Sequence, residues 1–301
     1  MADDDTSPVY ENTNGVPMAN GKNLHMDLGI GDIANRVVNV GSHSRAAKIA
    51  SLFDSYPDKV KCIESSRGFT TYTGTYKGIE VSVVAIGMGT PMMDFFVRET
   101  RAVVNGPMMM IRYGTCGGIS SQPSAGSVVV VEKSGLVLRN YNNFKNGKLS
   151  GEPYMILDSV NATPKISEQL KKDMISTLGD SVPVQVGTNV TADSFYGSQG
   201  RIDEKFLDDN KDLINKVQKF YNDDAKSMEM ETFQLLHLAL CSNDEHPIYT
   251  GAAAIVVADR QTSEVISDTM LDYREIEGGR AVLNTLITVS FDDLKPADRF
   301  E

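Results

Sequence analysis

The 301-residue chain is 41% hydrophobic and 23% charged, ordinary proportions for a globular protein with room for one large domain or two small ones. Its formal net charge of -11 disfavours a general affinity for nucleic acid or an anionic membrane, which attract excess Lys and Arg, so any anionic ligand must be small and locally held. Cys62, Cys116 and Cys241 are widely spaced and form no CxxC, which argues against a disulfide framework or a structural zinc and fits a reducing cytoplasm.

The opening stretch MADDDTSPVYENTNGVPMANG has neither the apolar core nor the basic flank of a secretory signal. It reads as a disordered acidic tail over residues 1-22, ahead of a single domain over 23-301. The most apolar runs, MMMI, SVVVV and GAAAIVVA, fall well short of the ~20 residues a membrane-spanning helix needs and look like buried strands.

From Arg36 onward, short β-branched runs alternate with helical segments, which predicts an α/β protein with a substantially buried sheet. RVVNVG is a strand running into Gly41, and SHSRAAKIASLF begins a helix with Ser42 or Ser44 as its cap. The free N–H groups at that helix start form an anion cradle, and Arg45 adds charge one turn inside; a capped helix with a solvent-facing Arg accounts for the same residues. Residues 61–89 hold several strands joined by turns at Gly68 and Gly78, so the sheet is mixed. In TPMMDFFVRETRAVV, Thr90 is the expected cap and Pro91 the first helical residue.

MMMIRYGTCGG and SVVVVEKSG are further core strands. Arg112 follows four apolar residues, and an Arg leaving a buried strand is costly unless it meets a partner or water, so an anion role and a structural one both stay open. Pro164 to Leu178 reads as an amphipathic helix and PVQVGTNVTA as a strand. Beyond that strand lies SFYGSQGRID, where Phe195, Gln199 and Arg201 sit close together in a turn that Gly197 and Gly200 make flexible. A flat apolar face, an amide and a planar fork of donors can hold a planar heterocycle by face and edge; a solvated loop with Phe195 tucked into the core is the plainer alternative.

SMEMET places Glu229, Met230 and Glu231 at the start of a buried helix. Its partial positive charge alone would favour the carboxylates, but a Glu beside a thioether also suits a vicinal diol. YTGAAAIVVAD is a buried strand ending at Asp259 and Arg260, and residues 273–291 form the closing helix. GIGDIA, residues 29–34, fits GxGxxA but precedes the first strand, so dinucleotide-binding geometry is absent. There is no GxxxxGK[ST], HExxH or GxSxG. His237 reads as a satisfied core residue, His246 lies in a turn before Pro247, and His25 and His43 stay open.

Taken together, VGSHSR, GMGTP, IRYGTCGG, FYGSQGR and MEMET occur in an order and spacing that resemble the nucleoside phosphorylase family, over nearly the whole chain after the tail. FYGSQGR is similar to the uracil-reading loop of the uridine-cleaving members. The resemblance implies a three-layer α/β/α fold around a mixed, distorted central sheet. It implies a phosphate site of Gly41, Arg45, Arg112 and Thr115, with Arg67 of SSRGFTTY reaching in from a second subunit. Ribose would be held by Met230 and Glu231, with His25 of LHMDLG donated across the same interface. Uracil would rest near Gly117 and Phe195, with Gln199 reading its N3 and O2 side, Arg201 its O4, and Arg260 touching that carbonyl directly or through water. Arg112, Gln199 and Arg201 would carry catalysis.

The implied reaction is reversible, phosphate-dependent cleavage of uridine to uracil and ribose 1-phosphate, with phosphate as co-substrate and neither cofactor nor metal. Gly68 stands where bacterial members carry a Glu at a monovalent-cation site, so no cation requirement is expected. With the N-terminal extension, it resembles the animal branch, whose members are dimers with shared sites. Asp259 keeps open a purine-cleaving alternative, in which an Asp of this neighbourhood protonates the base, although an ion-paired or structural role is favoured. A paralogue that binds nucleosides without turnover is the other alternative. Cys116 is atypical at its place, and either a buried inert thiol or an oxidation-sensitive one is compatible with the pattern.

Overall fold

A computed structural model describes residues 9–295. The acidic run at the start of the expected tail lies outside the described residues, and local pairing begins before residue 22. Glu11 bridges Met18, and β1 (Met18–Ala19) pairs antiparallel with β2 (Lys22–Asn23). Buried Asn23 accounts for this: its amide donates to the Glu99 carbonyl at 3.0 Å and its oxygen accepts from Leu28 N at 3.0 Å, tying the ladder to the body of the protein.

The main sheet starts with β3 (Arg36–Val40), a β-branched run that leads through Gly41 into α1 (His43–Ala50). Ser42 is the cap, its Oγ accepting from Arg45 N at 3.2 Å. The antiparallel β4 (Lys61–Glu64), β5 (Thr70–Tyr76) and β6 (Ile79–Ala85) follow, as the turns at Gly68 and Gly78 predicted. α2 (Thr90–Val103) has Gly89 at its cap position, one residue before the expected Thr90, and no side chain caps it.

β7 (Met108–Gly118) spans the whole MMMIRYGTCGG stretch, as expected, and Arg112 lies inside it rather than leaving it. β8 (Val128–Arg139) comes next, then a small hairpin of β9 (Phe144–Lys145) and β10 (Lys148–Leu149), and then β11 (Tyr154–Asn161). α3 (Pro164–Leu178) matches its predicted bounds. After it come β12 (Val184–Ala192), α4 (Leu213–Phe220), β13 (Ala225–Glu229), α5 (Thr232–Leu240), β14 (Ile248–Asp259) and α6 (Asp268–Thr288). Glu229 therefore ends a strand, and Glu231 takes the cap position of α5.

The 10-stranded sheet is mixed and distorted. β14 pairs with both β7 and β8, and β8, β12, β13 and β7 pair in turn, so these strands close on one another in a ring. Register shifts at Gly187/Thr188 and Val256/Ala258 supply the bends, as bulges do. Buried residues of α1, α3 and α6 pack on one face, against Met109 and Ile111, and those of α2 and α5 pack on the other, against Met108 and Met110. The period-two alternation of β7 thus divides its side chains between two helical layers and puts Arg112, in phase with Met110, on the α2/α5 side.

Candidate active site

Arg112 is 3% exposed and would be costly to bury unpaired. Its Nε donates to Glu229 Oε2 at 3.1 Å, its Nη1 to Asn39 Oδ1 at 3.4 Å, and its Nη2 to Glu231 Oε2. Glu229 also accepts from Asn189 Nδ2 at 2.9 Å, Thr191 Oγ1 at 2.6 Å, and the backbone N–H groups of Glu231 and Thr232. The plain helix-start explanation therefore applies to Glu229, whose carboxylate caps α5.

Burial opposes the charge on Glu229, but Arg112 and these donors outweigh it and hold the carboxyl below its usual range. Glu231 has fewer donors. Beyond Arg112 it accepts only from Gly89 N, at 2.5 Å, among the described residues. Burial, with the repulsion of Glu229 and despite the attraction of Arg112, pushes it up to about 7. Two carboxyls around one guanidinium are thus driven apart in acidity. Met230 lies half-buried between them.

Arg45 does not face solvent: it is buried, with its Nε on Glu275 Oε1 at 3.0 Å and its Nη1 on the Tyr113 carbonyl at 3.4 Å. Lys48 Nζ reaches the other oxygen of Glu275 at 2.6 Å. Gly41 begins the turn into α1, and Thr115 lies half-buried on the same strand as Arg112. Arg67 stands apart in the exposed turn at Gly68 and forms no ion pair among the described residues. His25 is apart as well. Its Nδ1 lies 2.5 Å from Glu99 Oε1, and its ring centroid is 4.2 Å from that of Phe95. Neither His25 nor Arg67 joins the Arg112 cluster within the chain.

The third group forms beyond β12. Phe195 is 44% exposed rather than tucked into the core, and the Arg201 guanidinium carbon lies 3.6 Å from its ring centroid. Arg201 Nη1 donates to Gln199 Oε1 at 2.5 Å and to the Phe195 carbonyl at 2.7 Å. Gly200 makes this possible. At φ 66 it occupies the left-handed region and turns the chain so that its two neighbours meet side chain to side chain. Burial, and then the charge of Arg260, lower Arg201 to about 10, so it remains a cation at neutral pH.

Arg260 differs from its expected role. Its Nη1 and Nη2 donate to the carbonyls of Gln199 and Gly200 at 3.0 and 3.2 Å, and its stem lies over Gly117, so it holds the loop from beneath. Asp259 is not ion-paired with it. Burial raises the Asp259 carboxyl, but the N–H groups of Gln261 and Thr262, at 2.8 and 3.2 Å, more than compensate and leave it below its usual range.

Of the remaining expectations, His237 is exposed and stacks on Phe233, because the apolar face of α5 leaves its position outward. His43 bonds Thr70 Oγ1 at 2.7 Å, and Cys116 is buried, which raises its thiol well above the usual range and makes it a poor nucleophile. The cysteines are all unpaired. No described helix is long and apolar enough to cross a membrane. Sequence reasoning missed Asn39, Gly89, Glu99, Asn189, Thr191 and Glu275. Asn39, Asn189 and Thr191 did leave a signal, as polar residues inside otherwise apolar strands.

A family model described as the Phosphorylase superfamily matches residues 35–272. A structure from work on two uridine phosphorylases of the oomycete Phytophthora capsici superposes with a TM-score of 0.89 at 40% identity, covering 94% of this chain and 100% of that one. A Trypanosoma brucei nucleoside phosphorylase, described as showing uridine phosphorylase activity, gives a TM-score of 0.75 at 21% identity over 91% of this chain and all of its own, a likeness of fold. The DeoD-type purine nucleoside phosphorylase of Bacillus subtilis is 28% identical over 255 residues, 84% of this chain and 96% of that protein.

Proposed function

The chain belongs to the Phosphorylase superfamily and is a nucleoside phosphorylase that takes phosphate as its co-substrate, and we propose that its nucleoside is uridine, cleaved reversibly to uracil and ribose 1-phosphate. The observation that carries this reading is the contact of Phe195, Gln199 and Arg201. The ring offers a face for a flat base. Gln199 Oε1, with a second lone pair beyond the one Arg201 uses, can accept from an imide N–H, while the amide N–H groups and the guanidinium donate to the flanking carbonyls.

In this mechanism the glycosidic bond breaks toward an oxocarbenium-like sugar between phosphate and the departing base, so no enzymatic nucleophile, cofactor or metal is needed. Arg45 and Arg112, with Gly41 and Thr115, hold phosphate beneath C1′; Met230 and Glu231 hold ribose; Gln199 and Arg201 stabilise charge growing on the leaving uracil. Arg260 acts on that end through the loop backbone.

His25 and Arg67 complete the ribose and phosphate ends from the second subunit of a homodimer with shared sites, as in the animal branch. Their separation from the Arg112 cluster supports that assignment, as does the exposure of Met88, at 75%, next to Gly89. The free thiols fit a reducing cytoplasm.

Likeness to the DeoD-type enzyme favours a purine reading instead. Against it stands Asp259, whose carboxyl is held ionised by turn N–H groups and is a poor proton donor to a base. The test is ultraviolet absorbance of uridine with and without phosphate, repeated with inosine. Phosphate-dependent loss of uridine with inosine untouched is expected; cleavage of inosine alone would overturn the uridine assignment.

A further inference from the structure

The loop that presents Gln199 and Arg201 is short and irregular. It closes on itself through Gly200 N to the Gly197 carbonyl at 3.1 Å, Arg201 N to the Tyr196 carbonyl at 3.0 Å, Ser198 N to Ser194 Oγ at 3.0 Å and Ser198 Oγ to the Asp193 carboxylate, and it is also held from outside. Asn210, 3% exposed in the connection before α4, spends both hydrogens of its amide on this loop. Nδ2 donates to the Gly197 carbonyl at 3.0 Å and to the Arg201 carbonyl at 2.8 Å. These carbonyls bracket the two that Arg260 holds, on Gln199 and Gly200.

The segment bearing Asn210 is itself fixed to the sheet. Tyr154 of β11 donates its hydroxyl to the Asp208 carbonyl at 2.9 Å, and Arg139, at the end of β8, pairs with the Asp208 carboxylate and donates to the Leu207 carbonyl at 2.7 Å. Rigidity therefore passes from β8 and β11 through residues 207–210 to the loop backbone, and from there to the Gln199 and Arg201 side chains.

We infer that Asn210 is a positioning residue for base recognition: its amide sets the angle at which Gln199 and Arg201 meet the edge of the base, without touching substrate. The inference rests on the nucleoside reading above. A misplacement of the order of 1 Å at reacting groups can cost ~100-fold in rate, so a side chain that fixes a loop this tightly should register in turnover.

The test uses full-length Asn210→Ala, which deletes both donors, and Asn210→Asp, which keeps the size but sets a carboxylate against two carbonyls. Measured together are kcat, KM for nucleoside, KM for phosphate, melting temperature with and without phosphate, and the preference for uridine over its analogue lacking the 4-carbonyl. The expected result is a drop of about ten-fold or more in kcat/KM for uridine, KM for phosphate within about two-fold, an intact phosphate-induced rise in melting temperature, and a smaller preference for the 4-carbonyl. Equal damage to the uridine and phosphate parameters would mark a merely structural residue and overturn the inference, as would unchanged kinetics or an unchanged 4-carbonyl preference. Wild-type turnover separates the two ideas: should it cleave inosine and not uridine, the uridine reading fails, and Asn210 is then judged by the same nucleoside-against-phosphate split on inosine.

Discussion

Nη2 of Arg112 and Oε2 of Glu231 are each other's partner, so the group proposed to bind phosphate and the group proposed to bind ribose are tied together in one ion pair. An oxyanion that draws Arg112 toward itself releases Glu231 to accept ribose hydroxyls. Sulfate, which mimics phosphate but cannot react, should therefore tighten uridine binding by roughly five-fold or more, the scale of a typical coupling between sites. Titration calorimetry with and without sulfate measures it; independent binding would show the two groups acting separately.

Burial pushes Glu231 up to about 7, and its ionised form is the stronger acceptor for two ribose hydroxyls because it carries charge and offers both oxygens as acceptors. Uridine affinity measured without phosphate, whose own ionisation would confuse the result, should strengthen as pH rises through about 7 and level off above it. Glu231→Gln should bind weakly with no such slope. The linkage has the opposite sign for folding. Because the folded value lies above the unfolded one of ~4.3, this carboxyl favours the folded state fully at low pH, and its contribution is lost as pH rises toward 7.

In the proposed base pocket, Gln199→Ala and Arg201→Ala would each remove a donor to charge developing on the base, worth roughly 1.5–3 kcal/mol for a hydrogen bond to a charged group, or about 10- to 150-fold in kcat/KM for uridine. Steady-state kinetics should find KM for phosphate little changed. Equal losses in both substrates would place these residues outside the base pocket.

If Arg67 serves the second subunit's site, Arg67→Ala and Arg112→Ala chains should each be inactive alone and regain activity when mixed and allowed to exchange. Each hybrid dimer then has one site that carries both defects and one that carries neither. Absence of recovery after exchange verified by mass spectrometry would remove Arg67 from the shared-site scheme.

Gly278 lies within α6, where Ala would ordinarily be favoured by roughly 0.5–1 kcal/mol. Here an added Cβ would lie 1.8 Å from the Tyr113 hydroxyl, which donates to the Arg274 carbonyl at 2.6 Å. Overpacking costs about 1–3 kcal/mol and would disturb that bond, so Gly278→Ala should lower thermal stability, as a melting curve would reveal. A gain would mean that Tyr113 can move aside freely.

Strong local patterns carried the reading of the fold. Ser42 before an amphipathic run, Pro164 opening a helix and the apolar alternation of β7 all announce themselves within a few residues. Arg112 was misplaced for the same reason: a charge after four apolar residues looks like a strand exit, and the carboxylates that keep it inside arrive 117 and 119 residues later. The meeting of Phe195, Gln199 and Arg201 was legible because the three are close in sequence. Its support was not: Asn210 resembles any surface polar residue until the chain has brought it beneath the loop, and Arg260, placed by resemblance at the base carbonyl, gave no sign that it holds the loop backbone.

The strand ring has a consequence for synthesis. Among the described residues β14 is the last strand to be made, and it fills the gap between β7 and β8, which were made long before it. Until residues 248–259 have emerged, both of those strands keep an edge without its partner, in a topology dominated by distant pairings. Arg260, which holds the carbonyls of Gln199 and Gly200, follows immediately. A nascent chain arrested short of β14 should therefore be sticky and inert together, and the step that removes its aggregation hazard is also the step that brings Arg260 to the loop proposed to read the base.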